Sequence, residues 1–211
     1  TSKPLKSASQ SSKSNYLIFY NFISAALWSG VLAQVIQLNA TQGHEKVYAG
    51  AGEYTKWVQT LAGLEVVHAA LGIVRAPLLT TVMQVASRFL LVWGVVDLFP
   101  AATGPNPAYS TMLLAWSVTE VIRYSYFAIN LSFGKVPSWM TWLRYNTFFV
   151  LYPLGISSEC WLVWQATEPA EKTNPLIKYA YLAILAVYVP GSYILFTHMM
   201  AQRRKVMKAL R

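Results

Sequence analysis

Apolar residues run along this chain in blocks rather than in alternation. Six blocks stand out, at about 15–38, 55–74, 77–99, 109–131, 140–164 and 177–200. Each is close to the ~20 residues that a helix needs to cross a hydrocarbon core about 30 Å thick. A spanning barrel would show alternating segments of about ten residues, and isolated strands would leave backbone groups unpaired in lipid. The pattern therefore predicts an all-α, polytopic membrane protein with six transmembrane helices in one bundle. Turn residues separate the blocks: PAATGPNP follows the third, FGKVPSW the fourth and TEPAEKTNP the fifth. Gly50 and Gly52 fall in the first predicted connection, and only Arg75 and Ala76 precede Pro77 between the second and third blocks. No internal repeat and no inverted pair of interrupted helices is visible, which argues against a secondary transporter.

Composition agrees with the pattern: 55% of the 211 residues are hydrophobic and 12% are charged, against about 25% charged in soluble domains. The net charge of +9 changes meaning once it is placed on the chain. Lys3, Lys6 and Lys13 at one end, with Arg203, Arg204, Lys205, Lys208 and Arg211 at the other, supply eight of those nine charges. Basic tails beside apolar spans suit a cytoplasmic membrane face. Nucleic-acid binding would need a basic face on a soluble module, and no nucleic-acid partner is expected. The predicted organisation is a flexible basic tail over 1–14, a membrane domain over 15–200 and a second basic tail over 201–211, with both termini cytoplasmic. No cleavable signal peptide is expected, because the first apolar run is long enough to be a span. Cys160 is the single cysteine, so neither an intrachain disulfide nor a thiolate metal site can form.

Ionisable groups inside the blocks are the informative exceptions. Each costs roughly 2.5–3.5 kcal/mol in a bilayer core even on the lenient insertion scale. Glu65, His68, Arg88, Asp97, Glu120, Arg123 and Glu159 all fall within predicted spans, Asp97 close to a span end. Glu120 and Arg123 share a helix face, as do Glu120 and Tyr124, so an ion pair within the helix is one reading and a functional site the other. Glu65 and His68 have the same spacing and predict an internal hydrogen bond. HAAL does not complete a zinc-binding HExxH pattern, and His44 and His198 fall in or near loops, so no metal site is expected. Arg88 lies about 16 Å into its span with no acid four residues away. It either pairs across to another helix or binds an anionic or carbonyl group.

The run RYNTFFVLYPLGISSE, residues 144–159, carries Tyr145, Tyr152 and Glu159 at seven-residue steps. Seven residues are nearly two turns, so the three share a face. On a straight helix Tyr152 and Glu159 stand about 10 Å apart along the axis. Pro153 and Gly155 between them predict a bend or a close helix approach. Glu159 has no basic neighbour in ISSECWLVWQ, which suits either a general acid or base or a proton-coupled carrier.

With these residues in view, the sequence resembles the endoplasmic-reticulum 3-hydroxyacyl-CoA dehydratases of very-long-chain fatty acid elongation, also called protein tyrosine phosphatase-like proteins. The resemblance covers almost the whole chain. It is carried by YLIFYN at 16–21, LEVVHAALGIVR at 64–75, QVASRFLLVWGV at 84–95, WSVTEVIRYSYFA at 116–128 and WLRYNTFFVLYPLGISSE at 142–159. It implies a catalytic tyrosine and glutamate in a YP-x-G-x-x-x-E setting, which fall on Tyr152 and Glu159. A phosphatase of the cysteine type would need an arginine six residues after its cysteine, and Cys160 is followed there by Ala166.

The implied reaction removes a proton from C2 and hydroxide from C3 of a 3-hydroxyacyl thioester. Glu159 is assigned as base and Tyr152 as proton donor, with the reverse assignment open. Arg88, Arg123, Tyr124 or a glycine N–H could support the thioester oxygen. Lys135 and Arg144 are candidate phosphate contacts for CoA, and Glu120, Tyr145 and Gly155 are supporting residues. The acyl tail is expected in an apolar tunnel lined by Phe148, Phe149 and Trp93 and closed at the lumenal side. The expected partners are a long-chain 3-hydroxyacyl-CoA, membrane lipid and other fatty acid elongation enzymes, with no cofactor. Two other classes stay open: a small membrane carrier or channel using Glu159 and Arg88, and a non-catalytic membrane scaffold.

Overall fold

A computed structural model describes residues 8–209; Lys3, Lys6 and Arg211 of the predicted tails lie outside them. The described chain is helical throughout its regular structure. The helices are α1 (Ala8–Thr41), α2 (Val47–Thr60), α3 (Gly63–Ala70), α4 (Leu78–Phe89), α5 (Pro100–Thr103), α6 (Pro107–Phe133), α7 (Ser138–Asn146), α8 (Phe148–Thr173) and α9 (Pro175–Ala209). A π-helical turn, Leu90–Val96, continues α4.

Five of the six blocks coincide with α1, α4 and its π-helical extension, α6, the α7–α8 pair and α9. The second block is displaced: α2 and α3 divide it at Leu61–Ala62, and Gly50 and Gly52 belong to α2 rather than to a loop. Three segments are each long and apolar enough to cross a membrane alone: Ser12–Thr41, Leu78–Val96 and Pro175–Lys208. α6 and α8 have the length, at 27 and 26 residues. Their polar residues dilute the apolar signal, and those polar residues face the interior described below.

Local chemistry explains the helix boundaries. Asn106 caps α6 by accepting the Ala108 N–H at 2.9 Å, with Pro107 at the first helical position. Gly134 closes the same helix at φ 69°, a left-handed conformation that costs glycine little. Within the π turn the Asp97 N–H reaches back to the Val92 carbonyl at 3.0 Å. The wide turn also leaves the Gly94 carbonyl free to accept the Tyr181 hydroxyl of α9.

α1 and α6 form the most extensive helix interface, and α8 packs on α6 and α9. Reciprocal hydrogen bonds of 2.7 and 2.9 Å join Asn39 and Ser110 at one end of the α1–α6 pair. At the other end Arg203 of α9 donates to the Asn146 side chain at 2.8 Å. The half of the bundle around Asn39 is filled solidly, with Leu91, Val95, Met112, Leu113, Leu162 and Val163 fully excluded from solvent. The half that carries the basic C-terminal segment is hollow. Leu162→Ala should lower stability by about 2–5 kcal/mol, read as an earlier thermal transition in detergent.

Candidate functional site

Four charged side chains from three helices meet in the hollow half. Glu120 of α6 is 4% exposed. Its two oxygens receive Arg88 of α4 at 2.7 Å and Arg123 at 2.6 Å. Arg123 then grips Glu65 of α3 with two nitrogens, at 2.7 and 3.0 Å, and the Tyr124 hydroxyl donates to the same carboxylate. The result is an alternating row, Glu65–Arg123–Glu120–Arg88, in which every charge has an opposite neighbour. Such neutralisation is what burial in a bilayer demands. The expected Glu120–Arg123 pair is present, and Arg88 takes the cross-helix option. Glu65 and His68 do not bond one another: His68 Nε2 meets the Tyr16 hydroxyl at 2.8 Å, because Arg123 is the stronger partner for Glu65. Asp97 lies apart and pairs with Lys56 at 3.0 Å.

Glu159 stands differently. Trp116 donates its indole N–H to Oε1 at 2.8 Å, and Tyr188 of α9 donates its hydroxyl to Oε2 at 2.9 Å. Both donors are neutral. Among the described residues no lysine, arginine or histidine lies within ion-pair distance of Glu159. The Arg88 guanidinium sits 4.7 Å from the Trp116 ring centre, so the indole that donates to Glu159 also touches the row of charges.

Tyr152 and Glu159 both face one cavity of about 520 Å³, along with Tyr145, Arg144, Gly155, Arg88, Glu120, Arg123 and Tyr124. Lining residues on α8 run from Phe148 to Glu159, a rise of about 16 Å. Gln202 and Arg144 stand at the basic end, and Gln59 and Ala115 at the deep end. The Tyr152 hydroxyl donates to the Ser192 carbonyl of α9 at 3.2 Å. A Cβ placed on Gly155 would stand 3.9 Å from Glu159 Oε1 and 3.6 Å from the Ala115 Cβ, so the missing side chain leaves room directly before the carboxylate.

Of the bend or close helix approach expected at Pro153 and Gly155, the close approach is present: α8 comes near α6 at Gly155, where an added Cβ would stand 3.6 Å from the Ala115 Cβ. α8 continues through Pro153 and Gly155, and the interruption falls at Thr147, between α7 and α8. Proline five residues after Phe148 forfeits a bond from only the first turns of the helix, which neighbouring packing tolerates. Tyr145 on α7 and Tyr152 and Glu159 on α8 nevertheless share the cavity.

Arg144 packs its guanidinium 4.8 Å from the Tyr126 ring centre and 4.5 Å from that of Phe127. It has no carboxylate within ion-pair distance among the described residues. Lys135 does not join the site: it is exposed on the connection after Gly134. Of the three residues expected to line an apolar tunnel, Phe148 faces the cavity. Phe149 packs with Phe196 beneath Arg203, and Trp93 bonds to Thr60 on the outer surface. Trp116, Tyr188 and Ser192 were not singled out from the sequence. Trp116 lies one turn before Glu120 and carried a usable signal; an indole N–H in a span needs an acceptor.

A model of the family described as protein tyrosine phosphatase-like protein, PTPLA, matches residues 59–209. The chain belongs to this family. Among its relatives is a probable very-long-chain (3R)-3-hydroxyacyl-CoA dehydratase of Schizosaccharomyces pombe, 44% identical over 93% of this chain and 94% of the relative. The rice very-long-chain (3R)-3-hydroxyacyl-CoA dehydratase PASTICCINO 2B is 42% identical over 91% and 92%. The mouse very-long-chain (3R)-3-hydroxyacyl-CoA dehydratase 1 is 32% identical over 91% of this chain and 73% of its own. No solved structure matches.

The ion row and the carboxylate beyond it respond differently to substitution. Glu120→Ala leaves two guanidinium groups facing one another and should destabilise by about 3–5 kcal/mol, measured by thermal unfolding in detergent. Glu159→Gln, which removes no partner of a cation, should shift that transition by less than about 1 kcal/mol.

Proposed function

We propose that this protein dehydrates very-long-chain (3R)-3-hydroxyacyl-CoA to the trans-2-enoyl-CoA at the Tyr152–Glu159 face of the cavity. The observation that carries the assignment of the site is Glu159: a carboxylate in a membrane interior, facing a cavity of about 520 Å³ and held only by neutral donors. A structural carboxylate here would have a cation, as Glu65 and Glu120 do. A free one is available to take a proton.

Elimination then needs two groups on one substrate face. The Glu159 carboxylate removes the C2 proton, and the C2–H electron pair becomes the C2–C3 double bond. The C3–O bond breaks, and Tyr152 gives its phenolic proton to the oxygen, which leaves as water. Proton return from Glu159 to Tyr152 completes the cycle. The open space at Gly155 lies between the two side chains along α8, so the C2–C3 unit can bridge an axial distance of about 10 Å with help from both side chains. Tyr152 must exchange its bond to the Ser192 carbonyl for one to the substrate hydroxyl.

For the thioester oxygen, Arg88 is the best supported of the candidates. Arg123 and Tyr124 are committed to Glu65 and Glu120. Arg88 uses Nη1 for Glu120 and Gln59; among the described residues no bond engages its Nε or Nη2. Developing enolate charge could be met there. Arg144, cationic and unpaired near the basic end, suits a CoA phosphate. The full reading has six spans, α2 and α3 together forming the second, in the endoplasmic reticulum membrane. Both termini are then cytoplasmic, and other fatty acid elongation enzymes are neighbours. The carrier reading is weakened by the solid packing beyond Glu159, since transport needs access from both faces.

Trp116 and Tyr188 act through Glu159, as positioning residues. Trp116→Phe keeps the ring under Arg88 but removes the donor; it should lower kcat by roughly 10–100-fold with little change in KM. In a Glu159→Gln background the same change should have no further effect on the residual rate. Tyr152→Phe and Glu159→Gln should each reduce enoyl-CoA formation by about 10²–10⁴-fold, measured by chromatography of the products from purified membranes. Turnover near wild type in the double variant would refute the pair.

A further inference from the structure

The cavity is too small and too closed at its inner end for the substrate just proposed. At about 520 Å³ it falls in the range of roughly 300–1,000 Å³ that suits drug-sized ligands. The pantetheine arm alone must run from Arg144 to Glu159. Beyond Glu159 the next turns of α8 bring Leu162 and Val163, both fully buried against Met112 and Leu113. A very long acyl chain has no straight way on, and the deep walls at Gln59 and Glu120 are polar.

There is, however, an opening to the side. α4 packs on α2 and α3, while α9 packs on α8 and α7. The two helices line the cavity from facing positions without a packed interface between them. They converge only toward the solid half, where Tyr181 of α9 bonds to the Gly94 carbonyl and meets the Phe99 ring edge-on. Above that junction Gln84 and Ser87 on α4, and Leu195 on α9, line the cavity and are also exposed to the surroundings. Residues that are both lining and exposed mark a gap in the wall. Its flanks are apolar: Leu79 and Met83 on α4 and Tyr193 and Ile194 on α9 are 63–74% exposed, as a lipid-facing surface is.

We propose that the gap between α4 and α9 is a lateral portal through which the acyl chain of the substrate lies out in the bilayer while its 3-hydroxyacyl head reacts inside. Long chains then find a solvent of their own kind instead of a protein tunnel, and added methylenes meet no wall. The inference rests on the dehydratase reading of the cavity. Ser87→Trp and Leu195→Trp place an indole in the portal from either side. In membranes, each should lower kcat/KM for a very-long-chain 3-hydroxyacyl-CoA at least tenfold relative to that for a chain short enough to end within the cavity. Short-chain turnover reports that the variants fold. In the wild type kcat/KM should hold within about threefold as the chain is lengthened past the short substrate. A sharp fall with length in the wild type, or variants that leave the long-to-short ratio unchanged, would overturn the portal alone. Absence of wild-type turnover on every chain length would overturn the dehydratase reading and the portal with it.

Discussion

Charge neutralisation in a medium that cannot solvate ions is the constraint on which the interior is built. Glu65, Arg123, Glu120 and Arg88 come from α3, α6 and α4, and each leaves the others exposed to a large penalty if it is lost. Their row fixes how those helices approach one another. It also holds one wall of the cavity rigid. A hollow half-bundle would otherwise tend to collapse, since nothing but side-chain packing keeps helices apart in lipid.

Once the row has absorbed four charges, Glu159 is conspicuous by contrast. The indole of Trp116 touches both it and Arg88: its face receives the guanidinium and its N–H the carboxylate. One aromatic side chain thus links the paired ions to a carboxylate with no cation of its own among the described residues. A direct Arg88–Glu159 pair would have neutralised that carboxylate and left Glu120 with less compensation. Tyr188 fixes the second oxygen from α9, so the carboxylate is oriented without being neutralised, which is the preorganisation that general-base catalysis wants.

Much of this was legible in the sequence, for identifiable reasons. Helix existence followed from apolar blocks of bilayer length, and the Glu120–Arg123 pair from its three-residue spacing. Glu159 could be singled out because ISSECWLVWQ offers no basic neighbour. What escaped depends on contacts between helices. Glu65 looked like a partner of His68, yet Arg123, distant in sequence, outcompetes a histidine for it. Gly155 announced the close approach of α8 to α6, whereas the division between α7 and α8 at Thr147 has no glycine or proline to announce it. The π turn at 90–96 consists of ordinary apolar residues, and only the Tyr181 bond to Gly94 reveals what it is for. Lys135 seemed a phosphate ligand through its charge and side of the membrane; its loop carries it away from the cavity.

In the proposed reaction Glu159 and Tyr152 act on neighbouring carbons of one acyl chain. The most direct measurement is a structure of the protein with an unreactive thioether analogue of its 3-hydroxyacyl-CoA. C2 should lie within about 3.5 Å of the Glu159 carboxylate and the C3 hydroxyl within about 3.2 Å of the Tyr152 oxygen, with Tyr152 released from Ser192. An analogue bound with C2 and C3 beside other side chains, and Glu159 beyond reach of either carbon, would contradict it.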